Sequence, residues 1–118
     1  MCGIAGVFRP DGGDERDLVD RTSLMTATLF NRGPDAGGIW TDEVSGIALG
    51  HRRLSILDLS DAGAQPMRSR CGRFTVTFNG EIYNHLDIRR ELEASGDAQG
   101  WNGHSDTETL LRAIQSWG

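Results

Sequence analysis

Met1-Cys2-Gly3-Ile4-Ala5-Gly6-Val7-Phe8 opens the chain, and Pro10-Asp11-Gly12-Gly13 closes the stretch. Ile4 to Phe8 form a short, continuously apolar run bounded by turn residues, which predicts a buried strand. Cys2 then stands at the mouth of that strand. If Met1 is removed, Cys2 becomes the first residue and carries an α-amino group beside its thiol. An exposed α-amino group titrates near ~7.7 to 8.0, so part of it is neutral at physiological pH. It can then take the thiol proton directly or through a water, and no separate histidine is required. A free cysteine is ordinarily a small buried core residue, but a core thiol has no reason to occupy a chain terminus.

Outward from this segment, Leu18, Met25 and Leu29, with Thr22 on the same stripe, predict an amphipathic helix from Asp14 to about Phe30 that covers one sheet face. Arg32-Gly33-Pro34-Asp35-Ala36-Gly37-Gly38 reads as a shaped loop, because proline fixes φ, restricts the residue before it and is flanked by permissive glycines. Ile39-Trp40 and Gly46 to Gly50 read as a hairpin around a turn from Thr41 to Ser45, with His51 to Leu57 continuing the second strand. Phe74-Thr75-Val76-Thr77-Phe78 alternates large apolar with β-branched residues; it is the clearest strand, and it delivers Asn79-Gly80-Glu81 to a turn. Asn84 caps a helix to about Ala94, with Leu86 and Leu92 inward and Ser95-Gly96 ending it. Ser105-x-x-Glu108 is a capping box for the final helix and places Asp106 in its first turn. That helix's apolar face stops at Gly118 with nothing after it to bury Trp117, so the chain reads as cut off.

At 118 residues, with 37% hydrophobic residues and 16 glycines, the chain suits one loop-rich domain of mixed helix and strand rather than a helical bundle. All twelve basic residues are arginine, which we read as an effect of G+C-rich coding. Seventeen acids give a net charge of −5, and no basic stripe appears, which argues against a nucleic-acid partner. Cys2 and Cys71 lack C-x-x-C spacing and no leader segment precedes them, so a cytoplasmic protein with reduced thiols is expected. No stretch approaches membrane-spanning length. His51, His85 and His104 lack metal-site spacing and read as structural or surface residues. The glycine-rich stretches lack the lysine of a phosphate loop.

Four segments together carry a family resemblance: Met1-Cys2-Gly3-Ile4-Ala5-Gly6, Arg32-Gly33-Pro34-Asp35, Arg53-Leu54-Ser55-Ile56 and Asn79-Gly80-Glu81-Ile82-Tyr83-Asn84, followed by Ser105-Asp106-Thr107-Glu108. In this order and over essentially the whole chain they resemble the N-terminal glutaminase domain of class II glutamine amidotransferases, in particular of glutamine-hydrolysing asparagine synthetases. The resemblance implies an α+β fold of the N-terminal nucleophile hydrolase type, an αββα sandwich of antiparallel sheets between helix layers. Residues 1–118 would be the N-terminal part of that domain, its remaining strands lying further along. It also implies a C-terminal synthetase domain, absent from this sequence, that uses ATP and Mg²⁺ to activate aspartate or a similar carboxylate and receives ammonia through a tunnel. The glutaminase reaction itself would need no cofactor or metal.

Carried over residue by residue, the resemblance makes Cys2 the nucleophile that attacks the side-chain carboxamide of glutamine. Asn79, through its side-chain amide, and Gly80, through its backbone N–H, become the oxyanion hole; Asn-Gly is also the commonest tight-turn dipeptide. Arg53 becomes the grip on the substrate α-carboxylate, a task that suits the guanidinium fork. Arg52 beside it points to the other face of a strand and reads as a solvated surface charge. Leu54, Ser55, Ile56 and Leu57 supply the adjoining wall through their backbone. Asp106 and Glu81 become partners of the substrate α-ammonium, although an acid in a helix's first turn is favourable without any ligand. Two positions depart from the family pattern: Asn31 replaces the usual histidine, and Gly103 stands where a β-branched residue is common.

Two alternatives stay open. Another class II amidotransferase, such as the phosphoribosyl or hexosamine-phosphate enzymes, would share the cysteine and much of the pocket. A non-catalytic truncated piece would expose sheet edges and an apolar face, which favours pairing with another chain, a homodimer included.

Overall fold

A computed structural model describes residues 2–54, 60–97 and 100–118. The chain divides into two compact units, the first made of residues 1–55, 64–66 and 77–79, the second of residues 56–63, 67–76 and 80–118. Helices and antiparallel sheets alternate along it, and the class is α+β as expected.

In the first unit, β1 (Gly3–Phe8), β2 (Ala36–Asp42) and β3 (Ile47–Arg53) form an antiparallel sheet in the order β1-β3-β2. The register runs from Gly3 opposite Arg52 to Phe8 opposite Ile47, and from Ala36 opposite Arg53 to Asp42 opposite Ile47. Helix α1 (Glu15–Ala27) packs on one face of this sheet. Asp14 caps it, its carboxylate accepting from the Asp17 N–H at 3.2 Å. Leu18, Thr22 and Thr26 are the buried residues of α1.

Several expectations are corrected here. The helix ends at Ala27, and Thr26 rather than Met25 continues the buried stripe. The reason is close approach: a Cβ added at Gly50 would meet the Thr22 methyl at 2.7 Å and collide with that of Thr26, so threonine-sized side chains fit this seam and methionine does not. Strand β1 is not buried throughout, since it is an edge strand with Ile4 48% and Phe8 68% exposed. Its alternate residues Gly3, Ala5 and Val7 share the α1 face with Arg52, Gly50 and Ala48 by register. The segment 36–38, read as loop, is the start of β2, where Gly38 lies so close to the Gln65 carbonyl that a side chain there would collide. The hairpin itself is present and longer than expected; Gly46, at φ +64°, closes its turn in a conformation that favours glycine. The predicted continuation of β3 from Ser55 to Leu57 lies outside the described residues.

A further correction falls on Phe74 to Phe78, where only Thr75–Val76 pair, as β5 against β4 (Met67–Arg68). The backbone around this short ladder turns to other partners. Phe74 exchanges bonds with Ser69, donating to its hydroxyl at 3.0 Å and accepting from its N–H at 2.9 Å, while the Phe78 N–H donates to the Gln65 side chain at 2.6 Å. In the second unit, α2 (His85–Ala94) packs against α3 (Asp106–Trp117), with Leu92 and Leu111 buried. Leu86, expected to face inward, is 59% exposed, and Arg89 is buried instead. Asn84 precedes α2 without a side-chain capping bond, and Gly96 at φ +81° ends it as read. Among the described residues no helix is long and apolar enough to cross a membrane.

Gly50→Ala is expected to destabilise the protein by about 1 to 3 kcal/mol through overpacking of α1 on β3, measured as a lower urea midpoint with an unchanged m-value.

Candidate active site

Cys2 sits one residue ahead of β1, beside the end of β3. Its sulfur accepts from the Leu54 N–H at 3.4 Å and lies 3.7 Å from the Leu54 carbonyl as a donor. The register that pairs Gly3 with Arg52 puts residue 2 opposite Arg53 at the next step, on the face away from α1 that also carries His51. Three further contacts hold this corner. Arg32 Nε donates to the Cys2 carbonyl at 3.3 Å, Arg52 Nε donates to the Gly33 carbonyl at 2.8 Å, and the Asp35 N–H donates to the Arg53 carbonyl at 3.0 Å. Arg52, read as a solvated charge, is a half-buried pin whose guanidinium also lies 4.9 Å from the Phe30 ring centroid.

His51 occupies the same strand and is 1% exposed, with neither ring nitrogen finding a hydrogen-bond partner among the described residues. Burial pushes its pKa below the ordinary 6.5; the Phe78 backbone opposes this and the Arg53 charge adds to it. Thr77 Oγ1, on another segment of this unit, is a further buried polar atom without a hydrogen-bond partner among the described residues. Asn79 ends that segment and is exposed.

In the second unit, Asp106 begins α3 and is buried, and its carboxylate accepts from the Ile82 N–H at 2.8 Å. Gly80 and Glu81, just before Ile82, are exposed. The Ser105 hydroxyl caps α3 by accepting from the Glu108 N–H at 3.2 Å. Only this half of the capping box is seen, because the Glu108 carboxylate accepts from the Asn102 and Gly103 N–H groups, at 2.9 and 3.0 Å.

The sequence-predicted residues therefore fall into two sets. Cys2, Arg53 and Leu54 are brought together by the β1–β3 register, and Asn79 belongs to the same unit. Gly80, Glu81 and Asp106 belong to the other, where Ile82 ties the Asn-Gly-Glu segment to Asp106. Ser55, Ile56 and Leu57 lie outside the described residues. Sequence reasoning gives Arg32, His51 and Arg89 no part in the site. The first lies within a motif already singled out, and the other two carry no local signal that marks them. Among the described residues no three His, Cys, Asp or Glu side chains gather as a metal site. What the first corner offers chemically is a half-buried thiol at the second position of the chain, held by the Leu54 backbone.

The sequence matches the glutamine amidotransferase domain family over residues 1–118. It is 41% identical over 121 residues to the glutamine-hydrolysing asparagine synthetase 1 of Bacillus subtilis, covering 99% of this chain and 18% of that protein. It is 36% identical over 118 residues to the glutamine-hydrolysing asparagine synthetase B of Escherichia coli, covering all of this chain and 20% of that protein. A third relative, the amidase chry2 of Gibberella zeae, is 32% identical over 126 residues, covering all of this chain and 18% of that protein. The chain thus spans about a fifth of the length of the curated relatives it matches.

Because burial lowers the His51 pKa in the fold while the unfolded chain titrates near the ordinary value, the unfolded state takes up the proton first on acidification, and stability falls as pH drops through about 6.5. Unfolding free energies measured between about pH 7.5 and about pH 5.5 should decline by no more than about 1.4 kcal/mol per pH unit from this group, and His51→Gln should flatten that decline.

Proposed function

This chain belongs to the glutamine amidotransferase domain family, and we propose on that premise that it is the N-terminal part of a type-2 glutaminase domain that hydrolyses glutamine at Cys2. After loss of Met1, the α-amino group of Cys2 accepts the thiol proton, and the sulfur adds to the carboxamide carbon of the substrate. The negative oxygen so formed takes hydrogen bonds from the Asn79 side-chain amide and the Gly80 N–H. The amine returns the proton to the leaving nitrogen, ammonia departs, and a thioester remains. Water, deprotonated by the same amine, then adds to the thioester, and glutamate leaves with the thiol restored.

Arg53 grips the α-carboxylate with two charge-assisted bonds, and Asp106 and Glu81 take the α-ammonium, so the domain selects a free amino acid. Leu54 to Leu57 contribute backbone to the pocket wall. This half-reaction needs no cofactor. The ammonia passes to a downstream synthetase domain that uses ATP and Mg²⁺ on a carboxylate acceptor, in a cytoplasmic protein. The names of the Bacillus subtilis and Escherichia coli relatives support aspartate as that acceptor. The Gibberella zeae relative is named an amidase, which supports a second reading in which the Cys2 chemistry acts in amide hydrolysis outside asparagine synthesis. An edge strand with exposed Ile4 and Phe8 supports pairing of two copies.

The observation that carries the proposal is the placement of the Cys2 sulfur against the Leu54 backbone at the head of β1. In the full-length protein, Cys2→Ala should abolish glutamate release from glutamine, and Asn79→Ala should lower kcat by about 10²- to 10³-fold. Intact-mass measurement should show Met1 absent; active enzyme that retains Met1 would overturn the mechanism.

A further inference from the structure

Arg89 is 7% exposed, and each of its guanidinium nitrogens donates to a different acceptor. Nε donates to Thr109 Oγ1 at 2.8 Å, Nη1 to the Gly103 carbonyl at 2.9 Å and Nη2 to the Ser105 carbonyl at 2.8 Å. The group lies 4.1 Å from the Trp101 ring centroid, and Arg112 lies 4.9 Å from the same ring. Trp101 Nε1 donates to Glu93 at 2.6 Å, and Arg112 Nη2 donates to the Gly100 carbonyl at 2.6 Å. Glu108 accepts from the Asn102 and Gly103 N–H groups and stands 3.5 Å from Arg112 and 4.0 Å from Arg89.

Residues 100–105 are thereby fixed to α2 and α3 by charged side chains taken out of water, an arrangement that is costly unless every group is bonded. Two of the Arg89 bonds end on Gly103 and Ser105, and the Ser105 carbonyl belongs to the peptide bond that begins Asp106. The Asp106 carboxylate then holds the Ile82 N–H, next to Glu81. Substrate contacts must be held within roughly half an ångström to be useful, and Arg89 fixes the backbone that leads into Asp106.

We propose that Arg89 is a positioning residue for recognition of the substrate α-ammonium, acting through the Gly103 and Ser105 carbonyls on Asp106. This rests on the assignment of Asp106 to that ammonium. Lysine cannot replace arginine here, because an ammonium neither spans three acceptors in one plane nor lies flat on an indole.

The test compares glutamine with glutaramate, the same amide without the α-amino group, in the full-length enzyme. Arg89→Lys should raise KM for glutamine about tenfold, equivalent to about 1.4 kcal/mol, with kcat largely kept and kcat/KM for glutaramate unchanged. Thr109→Val removes one acceptor and keeps the guanidinium, so it reads the same split, more weakly, if Arg89→Lys does not yield folded enzyme. Asp106→Asn is run in parallel. If it discriminates between the substrates while the Arg89 and Thr109 variants affect both equally or neither, the positioning role is overturned and the ammonium assignment stands. If Asp106→Asn treats both substrates alike, the ammonium assignment is overturned and the positioning role with it.

Discussion

The contact between the Leu54 N–H and the Cys2 sulfur, at 3.4 Å, fixes what would otherwise be a loose end of the chain. Terminal residues fray unless they are tied into a sheet or docked, and a nucleophile that frays has no defined geometry. Here the tie is made several times over. Gly3 is buried against Leu29 so closely that a Cβ would meet its side chain at 2.9 Å. Arg32 reaches the Cys2 carbonyl, and Arg52 holds Gly33 next to it. The turn that follows α1 and the last residues of β3 therefore converge on residue 2, and the glycine after Cys2 is what lets them come so near.

The second unit meets a different constraint, which is how to keep acids buried at the start of a helix. Asp106 and Glu108 both lie in the first turn of α3, where the exposed N–H groups favour negative charge. They divide the work. The Glu108 carboxylate turns away from the capping box to bond the amides of Asn102 and Gly103, leaving the cap to the Ser105 hydroxyl. The Asp106 carboxylate accepts from the Ile82 backbone N–H, beside the Glu81 segment.

Features that depend on neighbours along the chain are legible in the sequence itself. The hairpin, the capping serine at 105, the glycine stop at 96 and the position of Cys2 at a strand's mouth all follow from local periodicity and turn chemistry. Features set by packing are not. Met25 and Thr26 compete for the same seam, and only the bare backbone of Gly50 decides between them. Leu86 and Arg89 sit three residues apart on α2, and the acceptors that draw Arg89 inward lie fourteen and more residues away in sequence. Phe74 to Phe78 has strand propensity throughout, but its ladder extends only as far as β4 offers partners. The motif that contains Arg53 has Arg52 as its neighbour, and the burial of Arg52 depends on Phe30 and Gly33.

The all-arginine composition takes on a second meaning at three positions. Arg9, Arg21 and Arg90 make exposed ion pairs with nearby aspartates, contacts worth at most about 1 kcal/mol that a lysine could equally make. Arg52, Arg89 and Arg112 differ, because each bonds at least one backbone carbonyl while its flat face lies near an aromatic ring. Only a planar, delocalised cation does both at once, and its weaker hydration lowers the cost of taking it out of water. At the exposed ion pairs either cation would serve; at these three positions the geometry itself requires arginine, and two of the three hold the backbone that leads into α3.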